Sequence, residues 1–166
     1  VKTPSVKMNA SAKTLYVKGS PATVTLKATT AGVTGKVTYT SSKPSVAAVA
    51  ANGKVTAKAA GTAVITAKCG NYKATCKITV KKPTVKASAS AKTVFVGGTS
   101  QIKVEKTGVS GKVTYTSSNK SVAVVSAGGK VTAKKAGTAT ITVNSLPTAT
   151  IAADASVCKG AASPNV

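Results

Sequence analysis

The chain has no histidine, no arginine and no tryptophan, a single phenylalanine, and only two acidic residues among 166, Glu105 and Asp154. Without histidine, the commonest general base and metal ligand is missing. Glycoside hydrolysis by a carboxylate pair would need Glu105 and Asp154 to face each other across a cleft. Both fall in the second half, one on an expected strand and one near the tail, so solvated surface carboxylates are the plainer reading. Two acids are too few for a calcium site, which takes several oxygen ligands. The three cysteines, Cys69, Cys76 and Cys158, have no histidine or further cysteine to complete a zinc site. Cys158 also has no base beside it to make a thiol nucleophile. No glycine cluster precedes a helix as in a phosphate-binding loop. No apolar run reaches the length of a membrane-spanning helix. The expectation is no enzyme, no cofactor, no metal and no membrane span.

What is present is lysine. All 24 basic residues are lysine, which leaves a net charge of +22. Hydrophobic residues make up 42% of the chain, but they are mostly Val and Ala with four Tyr, a mix suited to a thin β core and not to thick helices. High charge can signal disorder, yet regular Val and Ile positions and a slightly positive mean hydropathy indicate a folded protein. The chain opens at Val1 with no leader pattern, which reads as a mature product or a fragment.

One segment occurs twice: "VTYTSSKPSVAAV" at 37–49 and "VTYTSSNKSVAVV" at 113–125. The copies hold a constant offset of 76 from Gly35/Gly111 through Gly53/Gly129 to Gly61/Gly137, so the unit is a small domain and not a short solenoid repeat. Within each copy apolar residues alternate: Val24, Leu26, Ala28; Val37, Tyr39; Ile78, Val80. That is the period of a strand with one face in a core and one in water. Asn52-Gly53 and Gly128-Gly129 supply hairpin chemistry between strands. The pattern predicts an all-β chain of two tandem β-sandwiches. The first domain is placed at 1–82 and the second at 83–166, its fold at about 84–153 followed by a tail. "VKKPTVK", 80–86, reads as a short, stiff linker around Pro83. The second unit needs a closing strand, and "TATIAA" (148–153) or "ASVCKG" (155–160) could supply it.

The order Ser-Ser, Ser-Val-Ala, Gly before "KVTAK", and Ala-Gly-Thr-Ala, present in both copies, resembles the bacterial immunoglobulin-like repeat, group 2, over about 6–80 and 84–143. Where that family often has Trp, this chain has Tyr39 and Tyr115. Where acids are common, it has Lys43 and Asn119, then Ala50 and Ser126. The resemblance implies immunoglobulin-like sandwiches and a place in bacterial surface proteins, adhesins, accessory modules of secreted enzymes, or phage tails and capsids.

Candidate functional residues follow from charge and position. Cys69 and Cys76 flank "GNYKAT", which reads as a hairpin connection; they form either a disulfide or two small buried thiols. A bridge would imply an oxidising compartment. Lys27, Lys58, Lys73, Lys77, Lys103 and Lys134 fall at outward positions. Lysine on edge strands discourages aggregation, but that does not explain the near absence of compensating acids. Self-repulsion at +22 is a cost that a polyanionic neighbour would relieve. A cell-wall polymer, an acidic glycan or an acidic protein shell would serve. Specific nucleic-acid binding is disfavoured, because base reading favours Arg and Tyr16, Tyr39, Phe95 and Tyr115 fall at matched positions expected in the core. Tyr72 is the one aromatic expected to be exposed, where it could stack on a sugar ring or simply cover its turn. The tail at 144–166 could dock a protein partner. The expectation is thus a non-catalytic extracellular module at a bacterial surface. A virion structural protein and a carbohydrate-binding accessory module are the alternatives.

Overall fold

The computed structural model describes residues 3–145 and 149–161, and β strands are its only regular elements. Contacts divide the chain at Pro83/Thr84. Only Lys82 and Pro83 stand between the last strand of the first unit and the first strand of the second, so the connection is shorter than the 80–86 stretch expected.

The first unit comprises β1 (Ser5–Met8), β2 (Ala12–Tyr16), β3 (Thr23–Thr25), β4 (Ala28–Ala31), β5 (Thr38–Ser41), β6 (Ala47–Val49), β7 (Lys54–Ala57), β8 (Gly61–Cys69) and β9 (Tyr72–Lys81). One sheet has the order β2-β9-β8-β5, with β2 parallel to β9 and the other pairs antiparallel. The sheet β3-β7-β6 and the ribbon β1-β4 make up the rest. Between the sheets lies a core of Leu15, Leu26, Ala47, Val55, Ala63, Ile65, Cys76, Ile78 and Val80, all essentially buried. A smaller cluster of Val6, Ala67 and Cys69 lies under the ribbon.

The second unit comprises β10 (Thr84–Ala89), β11 (Thr93–Phe95), β12 (Thr99–Thr107), β13 (Val113–Ser117), β14 (Ala123–Val125), β15 (Lys130–Ala133), β16 (Thr138–Ser145) and β17 (Ala149–Ala161). Its sheets are β11-β17-β16-β13 and β10-β12-β15-β14, closed over Ile102, Val131, Ile141 and Val143. β17 takes in 149–153 of the first candidate closing segment and all of the second as one strand, lying between β16 and β11. The fold of the second unit therefore runs on to Ala161, beyond 153.

The repeated Ser-Ser has a clear structural task. Ser41 Oγ donates to the Ala47 carbonyl (2.6 Å), tying the edge of one sheet to the edge of the other, and Ser42 Oγ accepts from the Val64 amide (2.9 Å). Ser117 and Ser118 repeat both bonds, to Ala123 and from Thr140, at 2.7 and 2.9 Å. These edge groups lack a strand neighbour, so a local hydroxyl satisfies them.

Two details depart from the simple alternation. The run through Val24, Leu26 and Ala28 is not one strand: it breaks between β3 and β4. There the Asn9 amide donates to the Lys27 carbonyl, and Asn9 Oδ1 accepts from the Lys27 amide. The Asn52-Gly53 hairpin is a four-residue loop, closed by the Gly53 amide on the Ala50 carbonyl, with Gly53 at φ +80°.

Candidate functional site

The β8–β9 hairpin decides the geometry. Its link is only Gly70-Asn71, because Cys69 pairs with Tyr72; the register then runs Lys68↔Lys73, Ala67↔Ala74, Thr66↔Thr75, Ile65↔Cys76 and Val64↔Lys77. Gly70 takes φ +57°, which a two-residue hairpin of this kind requires.

This register separates the two cysteines. Cys76 lies opposite Ile65, four residues along the strands from Cys69, about 13 Å at strand spacing. A disulfide needs Cα atoms within about 7 Å. Both thiols are free and buried, Cys76 in the main core and Cys69 in the smaller cluster, where its Sγ lies 3.4 Å from the Gly35 carbonyl. The expected bridge is therefore replaced by its alternative of two reduced side chains. Burial pushes the Cys76 thiol above its ordinary pKa, and the Lys13 ammonium partly opposes that rise. Cys158 stands in β17, and its side chain lies outside the described residues.

The same register creates a basic face. The outward residues of β9 are Lys73, Thr75, Lys77, Thr79 and Lys81, so every one is lysine or threonine. Beside them β8 contributes Thr62, Val64, Thr66 and Lys68, β5 contributes Thr38 and Thr40, and β2 contributes Ala12, Thr14 and Tyr16. Lys68 and Lys73 are direct cross-strand partners, with Cα atoms about 5 Å apart. Like charges so placed repel. Residues 1–83 contain fourteen lysines and no acid.

Of the six lysines singled out from sequence, only Lys73 and Lys77 share this face. Lys27 lies in the break between β3 and β4, Lys58 follows β7, Lys103 is on β12 and Lys134 follows β15. Lys68 and Lys81 belong to the face and were missed. A Gly-Asn link read as a two-residue hairpin would have fixed the register and found them.

Tyr72 is exposed, at 42%. By strand parity it lies on the side opposite Lys73 and Lys77, at the hairpin tip, so it does not join the basic face. Tyr39 and Tyr115 pack against the cores, as expected, whereas Tyr16 is half-buried on the outward side of β2, opposite Lys81, because its neighbour Leu15 takes the inward position. Phe95, at the matched place, is 58% exposed, because on the short strand β11 its neighbour Val94 takes the inward position. In the expected docking tail, 144–145 end β16 and 149–161 pair inside their own unit; 146–148 and 162–166 lie outside the described residues.

The equivalent face of the second unit is different. On β13 and β16 it carries Thr114, Thr116, Thr138, Thr140, Thr142 and Asn144, and on β17, the counterpart of β9, Asp154, Ser156 and Lys159 stand in register with Thr142, Thr140 and Thr138. Between the edge strands β13 and β14 is an open groove of about 340 Å³ lined by Tyr115, Thr116, Ser117, Lys120, Val124 and Val125. Among the described residues no group of three or more Cys, Asp or Glu side chains converges, and no helix is long and apolar enough to cross a membrane.

Comparison with known proteins places these observations. A family model described as bacterial Ig-like domain matches residues 35–82, and one described as bacterial Ig-like domain (group 2) matches residues 79–147. Among solved structures, domains 1–6 of the surface layer protein SbsC match 99% of this chain at 25% identity and a TM-score of 0.58. Domains 4 and 5 of that protein match 89% of this chain and 95% of their own length, at 25% identity and a TM-score of 0.53. Domains 4–9 match 94% of this chain at 27% identity and a TM-score of 0.52. The chain spans about 29% of the six-domain structure. Among curated proteins, no sequence matches.

Proposed function

We propose, from the premise that this chain belongs to the bacterial Ig-like domains in both of its units, that it is a non-catalytic structural and adhesive module of a bacterial surface. The observation that carries this reading is the likeness to a two-domain piece of an S-layer protein, covered over 95% of its length. Both units are filled by framework: the Ser-Ser hydroxyls of the repeated segment go to closing sandwich edges. Chemistry would need titrating groups held together, whereas the side chains most abundant on the surface are lysines.

The lysines supply the second part of the proposal. A surface this basic suits a polyanionic neighbour, outside the cell or on its wall, which would relieve the repulsion the chain carries alone. Fractionation of the native source, with the chain followed by mass spectrometry, tests the reading. Recovery with the cell envelope and release by salt or wall digestion is the expected result. Recovery in fixed ratio to capsid or tail proteins would instead make it a virion component, its polyanion being the particle.

A further inference from the structure

The geometry points to a specific ligand on a specific face: a linear polyol-phosphate polymer of the cell wall, lying along β9 on the outward side of the sheet β2-β9-β8-β5. This rests on the reading above, that the chain works at a surface beside a polyanion, and adds where the polymer sits and what its charged group is.

Three observations carry it. The first is confinement. Lys68, Lys73, Lys77 and Lys81 are all exposed and all on one face of one sheet, whereas in the second unit Asn144 takes the place of Lys68 and, in register along β17, Ser156 takes that of Lys77 and Asp154 that of Thr75, with Lys159 opposite Thr138. If the lysines served only solubility, the two faces would have no reason to differ.

The second is spacing. Along β9 the outward side chains recur every second residue, about 6.8 Å, and the lysines every fourth, about 13 Å. Thr75 and Thr79 fall between them with hydroxyl donors. Such a row fits an extended polymer with regularly repeated charges. It does not fit a compact anion, which would call for lysines converging on one point.

The third is donor chemistry. Planar carboxylates are best held by the arginine fork, and this chain has no arginine. A lysine ammonium is a point charge, and a threonine hydroxyl a single donor. Both suit a tetrahedral phosphate, whose oxygens accept separate bonds from different directions. The absence of acids from the first unit leaves nothing on this face to compete with the ligand for the ammonium groups. Lys68 opposite Lys73 is the point at which one phosphate would relieve the most repulsion.

The test uses the full chain and deacylated poly(glycerol phosphate) as probe, with polygalacturonate and oligothymidylate as comparison polymers. One variant carries Lys68→Gln, Lys73→Gln, Lys77→Gln and Lys81→Gln. A second, matched in charge, carries Lys103→Gln, Lys112→Gln, Lys130→Gln and Lys134→Gln. All eight side chains are exposed, and thermal unfolding verifies that both variants fold. The expected result is binding of poly(glycerol phosphate) by the wild type that weakens about 60-fold between 50 and 200 mM salt, the slope for roughly four neutralised phosphates. The first variant should lose at least ten-fold more affinity than the second. Equal losses would overturn the face and leave a polyanion held by net charge alone. Preference for polygalacturonate or oligothymidylate would overturn the polyol phosphate while the surface reading stands. Failure to bind any of the three polymers would overturn both this inference and the polyanionic neighbour.

Discussion

The two units are built on one pattern, and the tyrosine of the repeated segment shows how differently they use it. In the second unit β12 runs unbroken from Thr99 to Thr107, and Val104 pairs with Ala87 on β10. In the first unit the matching stretch breaks after Thr25, and the Ala28 amide donates to the hydroxyl of Tyr39 at 3.0 Å. Among the described residues Tyr115 makes no such bond. The same residue at the same place is therefore core filler in one copy and core filler plus backbone partner in the other. Charge divides the units in the same way. The first has fourteen lysines and no acid, the second ten lysines and both acids. A repeat holds the framework in common and leaves strand breaks and outward faces free to diverge.

The sharpest way to break the comparison is at the matched glycines. Gly53 and Gly129 both adopt φ +80°, a region that L side chains enter at about 1–2 kcal/mol. Their surroundings differ. A Cβ on Gly53 would lie 2.1 Å from the Leu26 carbonyl oxygen, which is backbone; on Gly129 it would meet the Tyr115 ring at 3.0 Å and the Ile102 carbonyl at 3.1 Å. Gly53→Ala should destabilise its unit by about 3 kcal/mol or more, and Gly129→Ala by about 2 kcal/mol. Hydrogen exchange of β8 and β9 against β16, read by mass spectrometry, reports each unit separately. Equal effects would mean that the backbone at Leu26 yields as easily as a tyrosine ring.

Tyr39→Phe and Tyr115→Phe should come next in size. Removing the Tyr39 hydroxyl leaves the part-buried Ala28 amide without its acceptor, worth about 1–2 kcal/mol. Tyr115→Phe should change stability by less than about 0.5 kcal/mol. The same exchange measurement distinguishes them. A loss of equal size in the second unit would show that the unbroken strand does not replace the hydroxyl.

Much of this was legible beforehand. Alternation at Ile78 and Val80 and the double Ser-Ser pattern led directly to two sandwiches, because a period of two has one structural meaning over such lengths. The candidate site was less legible, and one dipeptide accounts for most of the shortfall. With "GNYKAT" taken as the connection, Cys69 and Cys76 face each other and Lys68 looks like any other surface lysine. With Gly70-Asn71 as the whole connection, the cysteines move apart and Lys68 and Lys73 come together. Alternation tells which face a residue takes but not which residue it faces; only the turn fixes that. Phe95 was misplaced for a related reason. Matching it to Tyr16 gave the correct strand, but Val94 fills the inward position and leaves the ring outside.

The smallest predicted effect bears most directly on function. Lys68 opposite Lys73 is a repulsion retained in the folded state. Lys73→Thr, which turns that position into the kind of residue the second unit's face carries, should stabilise the first unit by about 0.5 kcal/mol at low ionic strength. The gain should disappear near 1 M salt, where the screening length falls to about 3 Å. Wild-type β8 and β9 should likewise gain protection with added salt, and β16 should gain less. The same substitution should weaken poly(glycerol phosphate) binding, so stability and affinity move in opposite directions at a single residue. That opposition distinguishes a face kept basic for a ligand from one kept basic for solubility. Stabilisation without any loss of binding would leave the lysine pair without a role in recognition. If Lys73→Thr leaves stability unchanged even at low salt, the repulsion is already relieved by counterions, and the argument for a phosphate at that point loses its energetic basis.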